Sequence, residues 1–124
     1  MACKAILVVE DDTDIREMLM LMLETEGYSV VGAAEGIEGL AVLSRISAPC
    51  LILLDLMMPV MNGWQFLRAV RKDDILAVIP VVVVSAFSGQ AQDEQVEAIL
   101  RKPIDVDALM EFVKKYCGPG TLYS

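Results

Sequence analysis

The side chains of this chain that are best suited to chemistry come directly after short apolar runs. Glu10 and Asp11 follow the first run, and Asp55 is the single acid in the long apolar segment LILLDLMMPVMNGW. Ser85 follows four consecutive valines, and Lys102 follows a weaker run nearer the C-terminus. Three carboxylates, a hydroxyl and an ammonium group in these positions could hold a hard cation and a phosphoryl group.

The position of Asp55 favours a bound cation. Burying an unpaired carboxylate costs several kcal/mol, and clustered acids repel one another. A bound cation would pair with the buried carboxylate and would also reduce the repulsion between the acids. Mg²⁺ fits best, because it prefers oxygen ligands and is commonly bound through one or two carboxylates while it keeps several waters. Softer metals prefer His or Cys ligands, and the sequence contains no His.

The same groups also suggest a reaction. An aspartate can attack a phosphoryl group and form an aspartyl phosphate, while the cation and Lys102 would neutralise charge on the phosphoryl oxygens. Ser85 could donate a hydrogen bond to one of those oxygens. Plainer interpretations exist, since acids after a strand often cap the next helix, serines often lie in turns, and a lysine before proline is usually solvated. They do not explain an acid in the apolar surroundings of Asp55.

Alternating strand-like and helix-like segments predict how these residues are positioned. Five runs have the continuous apolar character of strands buried on both faces of a parallel sheet, the last more weakly: residues 5–9, 28–33, 51–54, 81–84 and 97–100. Segments of helical periodicity lie at 13–27 (capped by Asp12 or Thr13), 35–46, 64–71 and 105–117. This alternation predicts a doubly wound α/β fold, with a five-stranded parallel sheet and helices on both faces.

The predicted fold brings the candidate residues together. Ligands of doubly wound sheets bind beyond the carboxyl ends of the strands, and each candidate residue follows a strand end. We therefore expect them to meet at one edge of the sheet. Because no repeat, low-complexity tract or linker interrupts the sequence, we expect a single domain over residues 1–124, with its core at about 4–117 and a short flexible tail at 118–124.

Charge and composition restrict the partners. Asp and Glu outnumber Lys and Arg by 18 to 10, for a net charge of -8, which would repel nucleic acid and anionic membrane surfaces. The three cysteines give no disulfide or metal pattern, so we expect reduced thiols. Neither a signal peptide nor an apolar stretch of membrane-spanning length is found. The sequence therefore predicts a soluble, cytoplasmic protein.

Four motifs carry a likeness to a known family. ILVVEDD, LILLDLMMPVMNG, VVVVSA and LRKP, in this order and at this spacing, resemble the receiver domain of two-component response regulators, over about residues 4–116. Each motif alone is weak, but the combination is specific. The resemblance implies the flavodoxin-like strand order 2-1-3-4-5. It also implies a signalling role, in which a phosphorylated aspartate switches the conformation of the domain and so controls a protein partner.

The resemblance implies a role for each candidate residue. Asp55 would be the phosphoacceptor, Ser85 the switch hydroxyl, and Lys102 the cation that contacts the phosphoryl group. Mg²⁺ would be the cofactor. Its ligands would be Glu10 (largely through water), Asp11, Asp55 and the backbone carbonyl of Met57.

The missing histidine restricts the phosphoryl donor. Receivers take the phosphoryl group from a histidine of a histidine kinase or a histidine phosphotransfer protein, and this chain has no His. The donor must therefore be another molecule, and the output partner is a protein that the sequence does not name. We expect no enzymatic activity beyond self-phosphorylation and slow autodephosphorylation, no direct contact with nucleic acid and no membrane.

Three features depart from the family pattern. Ile99 stands where receivers usually carry an aromatic switch residue. The stretch from Ser85 to Lys102 is shorter than usual, leaving room for only about two turns of a shortened fourth helix. Met57 and Phe87 are apolar at two positions that tune the lifetime of the phosphate, and neither can orient an attacking water. Slow autodephosphorylation is therefore expected.

Three other functions remain as alternatives. A phosphate-independent docking module with a receiver-like fold would not need the complete set of acids, Ser85 and Lys102. A Mg²⁺-dependent phosphohydrolase that uses an aspartyl phosphate would need a second aspartate where Met57 stands. A flavodoxin-like cofactor carrier or nucleotide binder would need a glycine-rich phosphate loop after the first strand, where this sequence has acids.

Overall fold

The computed structural model of the chain describes residues 5–46, 49–55, 62–85, 96–101 and 104–119, with only the backbone described at Ser85. The strands are β1 (Ile6–Val9), β2 (Val30–Ala33), β3 (Leu51–Leu54), β4 (Val81–Ser85) and β5 (Ala98–Arg101). The helices are α1 (Thr13–Thr25), α2 (Gly36–Leu43), α3 (Gly63–Lys72) and α4 (Val106–Cys117), with a 3-10 turn at Leu76–Val78. The five predicted strands are present. The shortened fourth helix and most of the predicted tail fall outside the described residues.

The five strands form one parallel sheet in the order β2-β1-β3-β4-β5. β1 is an inner strand between β2 and β3, and its last residue, Val9, lies opposite Ala33 on one side and Leu54 on the other. The predicted doubly wound sheet and its flavodoxin-like order are confirmed. Because all five strands run in the same direction, the residues that follow Val9 and Leu54 emerge side by side at one edge.

Helices cover both faces of the sheet, as predicted, and a separate apolar core lies under each pair. One core holds buried side chains of α2 and α3 against the sheet: Leu7, Val9, Val42, Phe66, Val70 and Val83. The other holds those of α1 and α4: Ile6, Val8, Leu19, Leu23, Leu109 and Val113. Since β1 contributes alternate residues to the two cores, neither face of this strand is open to water.

Side-chain caps determine where three of the helices begin. The Asp12 carboxylate accepts hydrogen bonds from two backbone N–H groups in the first turn of α1. Asn62 begins α3 with a reciprocal capping box, and Asp105 caps α4. Asp12 rather than Thr13 is therefore the cap of the first helix, and each cap satisfies N–H groups that the helix itself leaves without a partner.

Several predicted bounds differ from the observed ones, and for two of them the structure shows the reason. β2 begins at Val30 rather than Tyr28, whose buried ring packs in the core beneath α1 and α4 while its hydroxyl donates to the carbonyl oxygen of Gly118 over 2.5 Å. α2 covers Gly36–Leu43 rather than residues 35–46, because the chain leaves the helix in a turn closed by the N–H of Arg45. Within the described ranges, none of the helices has both the length and the apolar character needed to cross a membrane.

The expectation of reduced cysteines is wrong for two of the three. Cys50 and Cys117 form a disulfide, with their Cα atoms 5.3 Å apart. They are separated by 67 positions in the sequence, and they meet because the end of α4 lies at the start of β3. Spacing alone cannot show such a pair, since the pairing depends on how the helix packs. Cys3 lies outside the described residues.

Candidate functional site

Glu10 and Asp55 are the first residues beyond two adjacent strands, β1 and β3. The Glu10 N–H donates to the carbonyl oxygen of Ala33 over 3.0 Å, and the Asp55 N–H donates to that of Val9 over 2.9 Å. The hydrogen-bond ladder of the sheet thus continues through both acids. Their backbones are held by neighbouring strands, and their side chains are aimed by the sheet rather than by a loop.

Three carboxylates converge at this edge. Glu10 is 2% exposed and Asp55 is 4% exposed, whereas Asp11 is exposed. Oxygens from all three lie within 4.8 Å of one another, and among the described residues this is the one group of three such side chains that could share a metal ion. An all-oxygen set with two buried members suits a hard divalent cation such as Mg²⁺ and offers no soft ligand.

Two hydrogen bonds hold Glu10 and the turn that follows it. The backbone N–H of Asp12 donates to the Glu10 carboxylate over 3.2 Å. The Arg16 guanidinium donates from α1 to the Glu10 carbonyl oxygen over 2.8 Å. These contacts orient the buried carboxylate and bring a positive charge close to the acidic cluster.

The structure separates the two interpretations of the acids that follow β1. Asp12 caps α1, with its carboxylate 2.9 and 3.1 Å from the N–H groups of Asp14 and Ile15. Glu10 and Asp11 belong instead to the cluster with Asp55. Helix capping and membership of the carboxylate cluster thus belong to different members of one acidic run.

Arg16 is the residue of this site that sequence reasoning missed. It lies six positions after Glu10 and is half-buried. Its contact is with a backbone oxygen, which leaves no pattern of paired charges in the sequence. The sequence offers one signal for this contact: Arg16 lies in the first turns of α1, close in the chain to the end of β1.

The remaining predicted residues are only partly described. Ser85 ends β4, the strand beside β3, and its backbone lies opposite Arg101 of β5. Met57, Phe87 and Lys102 lie outside the described residues. Ile99, the residue at the expected aromatic position, pairs with Val83 in the sheet and packs partly buried against the core beneath α2 and α3.

Comparisons with known proteins agree with this arrangement. The family model of the response regulator receiver domain matches residues 6–114. The polar-differentiation response regulator DivK of Brucella anthropi is 32% identical over 120 residues, which cover 93% of this chain and 97% of that protein.

Solved structures give the same result. A response regulator receiver protein from Pseudomonas putida has a TM-score of 0.87 and 30% identity, covering 93% of this chain and 98% of that chain. The response regulator TrrA from Thermotoga maritima, solved in complex with Mg²⁺ and BeF, has a TM-score of 0.79 and 30% identity, covering 91% and 98%.

The likeness extends over the whole domain rather than over one motif. The family match begins in β1 and ends within α4, so it includes all five strands and the three clustered acids. A chance match of a common sheet would not reproduce carboxylates at the ends of both β1 and β3. The chain therefore belongs to the receiver domains of response regulators, the signalling phosphoacceptors of two-component systems.

Proposed function

We propose that Asp55 is the residue that accepts the phosphoryl group, and that Mg²⁺ is held beside it. The observation that carries this assignment is the cluster of carboxylate oxygens within 4.8 Å at the ends of two adjacent strands. The ligands would be Glu10, Asp11, Asp55 and the backbone carbonyl of Met57. The Mg²⁺–BeF complex of the Thermotoga relative supports a site of this kind.

The geometry of Asp55 suits a nucleophile. Its N–H bond to Val9 and its position directly after a buried strand restrict how far its carboxylate can move, and a restricted nucleophile reacts with less loss of entropy. During transfer, a carboxylate oxygen of Asp55 forms a bond to phosphorus while the bond from phosphorus to the donor histidine nitrogen breaks. The nitrogen keeps the electron pair. Bound Mg²⁺ would supply charge stabilisation for the phosphoryl oxygens.

Other residues would assist without reacting. Glu10 is oriented by the N–H of Asp12 and by Arg16, so that its carboxylate faces the cation site before the metal arrives. Ser85 would donate its hydroxyl to a phosphoryl oxygen, and Lys102 would place its ammonium group beside another. The contacts of these two groups would exist only in the phosphorylated state, and they would therefore stabilise a second conformation of the domain.

The proposed partners are two proteins, an upstream phosphoryl donor and a downstream output protein. A histidine kinase or a histidine phosphotransfer protein would supply the phosphoryl group, and a separate output protein would bind the switched domain. The net charge of -8 disfavours direct contact with nucleic acid. We place the protein in the cytoplasm and treat residues 1–124 as one signalling domain that turns over no substrate beyond its own phosphoryl group.

One experiment tests the phosphoacceptor directly. The protein is incubated with Mg²⁺ and acetyl phosphate, and its intact mass is measured. The wild type should gain about 80 Da for one phosphoryl group, and Asp55→Asn should gain nothing. Asp12→Asn is the matched control, because it makes the same chemical change at an acid that caps α1 and lies outside the cluster. It should still be phosphorylated.

A fluorescence measurement distinguishes the alternatives. Trp64 is partly buried in the first turn of α3, nine positions after Asp55, and should respond to BeF and Mg²⁺ in the wild type but not in Asp55→Asn. No response and no adduct in the wild type would leave a phosphate-independent docking module. Repeated turnover of a phosphate ester would instead identify a phosphohydrolase.

A further inference from the structure

The disulfide lies at the opposite end of β3 from the acidic cluster. Cys50 directly precedes β3, and Cys117 is the last residue of α4. Both residues are partly exposed and lie at the margin of the core beneath α1 and α4 rather than inside it. We propose that Cys50 and Cys117 form a reversible thiol–disulfide site, at which oxidation fastens the C-terminal end of α4 to the sheet and reduction loosens it.

The cytoplasmic location that we propose for this protein supports reversibility. Disulfides of proteins that work in a reducing cytosol are usually transient or redox-sensing rather than permanent. Accessible pairs also exchange with small thiols more readily than buried ones. The pair is therefore suited to report the thiol balance of its surroundings, independently of the chemistry at Asp55.

Both redox states are accommodated by the surrounding structure. In the oxidised state the Cα atoms are 5.3 Å apart, a usual separation for a disulfide. In the reduced state the Cys50 thiol has a hydrogen-bond acceptor in place, because its sulfur lies 3.7 Å from the carbonyl oxygen of Ala5. Reduction thus leaves Cys50 with a partner and does not require the start of β3 to move.

Reduction would act on one end of α4. Leu109 and Val113 are fully buried and hold the middle of the helix against the sheet. At the C-terminal end, the disulfide acts together with the hydrogen bond from the Tyr28 hydroxyl to the Gly118 carbonyl. With the disulfide reduced, that hydrogen bond and the packing of the partly buried Tyr116 against the core would still hold this end. One covalent attachment is lost, so the last turn should open more often while the rest of α4 stays packed.

The chemistry requires an oxidant of the small-molecule disulfide class, such as oxidised glutathione. The thiolate of one cysteine attacks a sulfur of that disulfide, forms a mixed disulfide and releases one small thiolate. The thiolate of the other cysteine then attacks the protein sulfur of the mixed disulfide and releases the second. The two protein thiols lose two electrons and two protons, and the small disulfide is reduced to two thiols.

The first test counts thiols. The full chain is equilibrated in buffers with a series of ratios of reduced to oxidised glutathione. Free thiols are then labelled with N-ethylmaleimide, and the intact mass is measured. The protein should shift from three labels when reduced to one when oxidised, since the chain has three cysteines and the bond uses two. Cys3→Ser is the matched control and should shift from two labels to none. A pair that stays reduced until the buffer contains no reduced thiol, or a bond that involves Cys3, would overturn the proposal.

The second test measures the helix. Hydrogen exchange at the amides of residues 114–117 should be about tenfold faster or more in the reduced protein, while amides of α3, on the other face, should not change. Tyr28→Phe keeps the buried ring and removes the second tether. It should accelerate exchange at these amides more in the reduced protein than in the oxidised protein.

Equal exchange in the two redox states, or equal effects of Tyr28→Phe in both, would show that the disulfide does not control the attachment of α4. The variant Cys117→Ser cannot form the disulfide and should show the same exchange rates as the reduced wild type. A difference between them would reveal a folding defect of the variant. Thiol labelling and hydrogen exchange should give the same results with Asp55→Asn as with the wild type. A failure of the phosphoacceptor assignment can therefore be distinguished from a failure of the redox site.

Discussion

Replacing Asp55 with asparagine should stabilise the protein in Mg²⁺-free buffer and remove most of the stabilisation that Mg²⁺ gives. Asparagine has nearly the shape of aspartate but removes one of three clustered negative charges at the ends of β1 and β3. In the absence of a cation, that charge raises the free energy of the folded state. In its presence, the same charge supplies binding free energy.

The magnitude follows from the geometry of the cluster. Two unit charges at 4.8 Å, the upper limit of the separations in the cluster, repel by about 3.5 kcal/mol at an effective dielectric constant of about 20. Asp55 belongs to two such pairs, but Asp11 is exposed, so water screens its charge and reduces its share of the repulsion. We therefore expect a net gain of about 1–2 kcal/mol in the free energy of unfolding without Mg²⁺.

Mg²⁺ should stabilise the wild type more than it stabilises Asp55→Asn. At a concentration about a hundred times the dissociation constant, a ligand that binds only the folded state adds about 2.7 kcal/mol to the free energy of unfolding. The wild type should show an increase of this size. Asp55→Asn should show a small fraction of it, because it lacks one of the two buried carboxylates.

Urea unfolding with EDTA and with saturating Mg²⁺ measures both effects. Asp12→Asn is the control: it should change the free energy of unfolding only through the cap of α1, by about 1 kcal/mol or less, and should keep the full response to Mg²⁺. If Asp55→Asn is less stable than the wild type in EDTA, or responds to Mg²⁺ equally, the three carboxylates do not form the repulsive, cation-binding cluster described above.

Three further outcomes are expected. Reducing the Cys50–Cys117 disulfide, which joins residues 67 positions apart, should lower the free energy of unfolding by up to about 4 kcal/mol, because the unfolded chain gains freedom; an unchanged urea midpoint would contradict this. Gly39→Ala should cost about 1–2 kcal/mol, since the new Cβ would lie 2.8 Å from a ring carbon of the fully buried Phe66; a higher thermal midpoint would argue against such close packing. A phosphoryl group on the protein should persist for minutes or longer in Mg²⁺, because Met57 cannot orient a water; decay within seconds, followed by mass spectrometry, would show another route to hydrolysis.

The sequence predicted the sheet and its acids well because both depend on a strong local pattern. Runs such as LILL and VVVV are apolar at every position, as strands buried on both faces must be, and β1, β3 and β4 contribute to both cores. Once the strands are located, the direction of a parallel sheet places Glu10 and Asp55 at the same edge. No side-chain detail is needed for that step.

Features that depend on tertiary contacts were missed or misplaced. The disulfide depends on where α4 ends relative to β3, and the Arg16 contact is with a backbone oxygen. Helical periodicity groups Met18 with Leu19 and Leu23, yet Met18 is 48% exposed, because Leu19 and Leu23 form the narrow stripe that the sheet covers. Periodicity shows that a helix has an apolar face, but the packing partner decides how wide a face is buried.

β3 separates the acidic cluster from the redox site, and the two should therefore affect stability independently. Five residue steps of about 3.3 Å each place Asp55 about 16 Å from Cys50, beyond the distance of about 7–10 Å at which mutational effects usually stop coupling. The residues between them are at most 1% exposed, and the strand is paired on both sides, so it transmits little movement. The stabilisation by Mg²⁺ should accordingly agree within about 0.5 kcal/mol in the oxidised and reduced proteins. Urea unfolding across a Mg²⁺ titration of both redox states measures this stabilisation. A larger difference would mean that loosening α4 affects the carboxylates through contacts other than β3. This strand cannot bend without breaking its hydrogen bonds to the neighbouring strands on both sides.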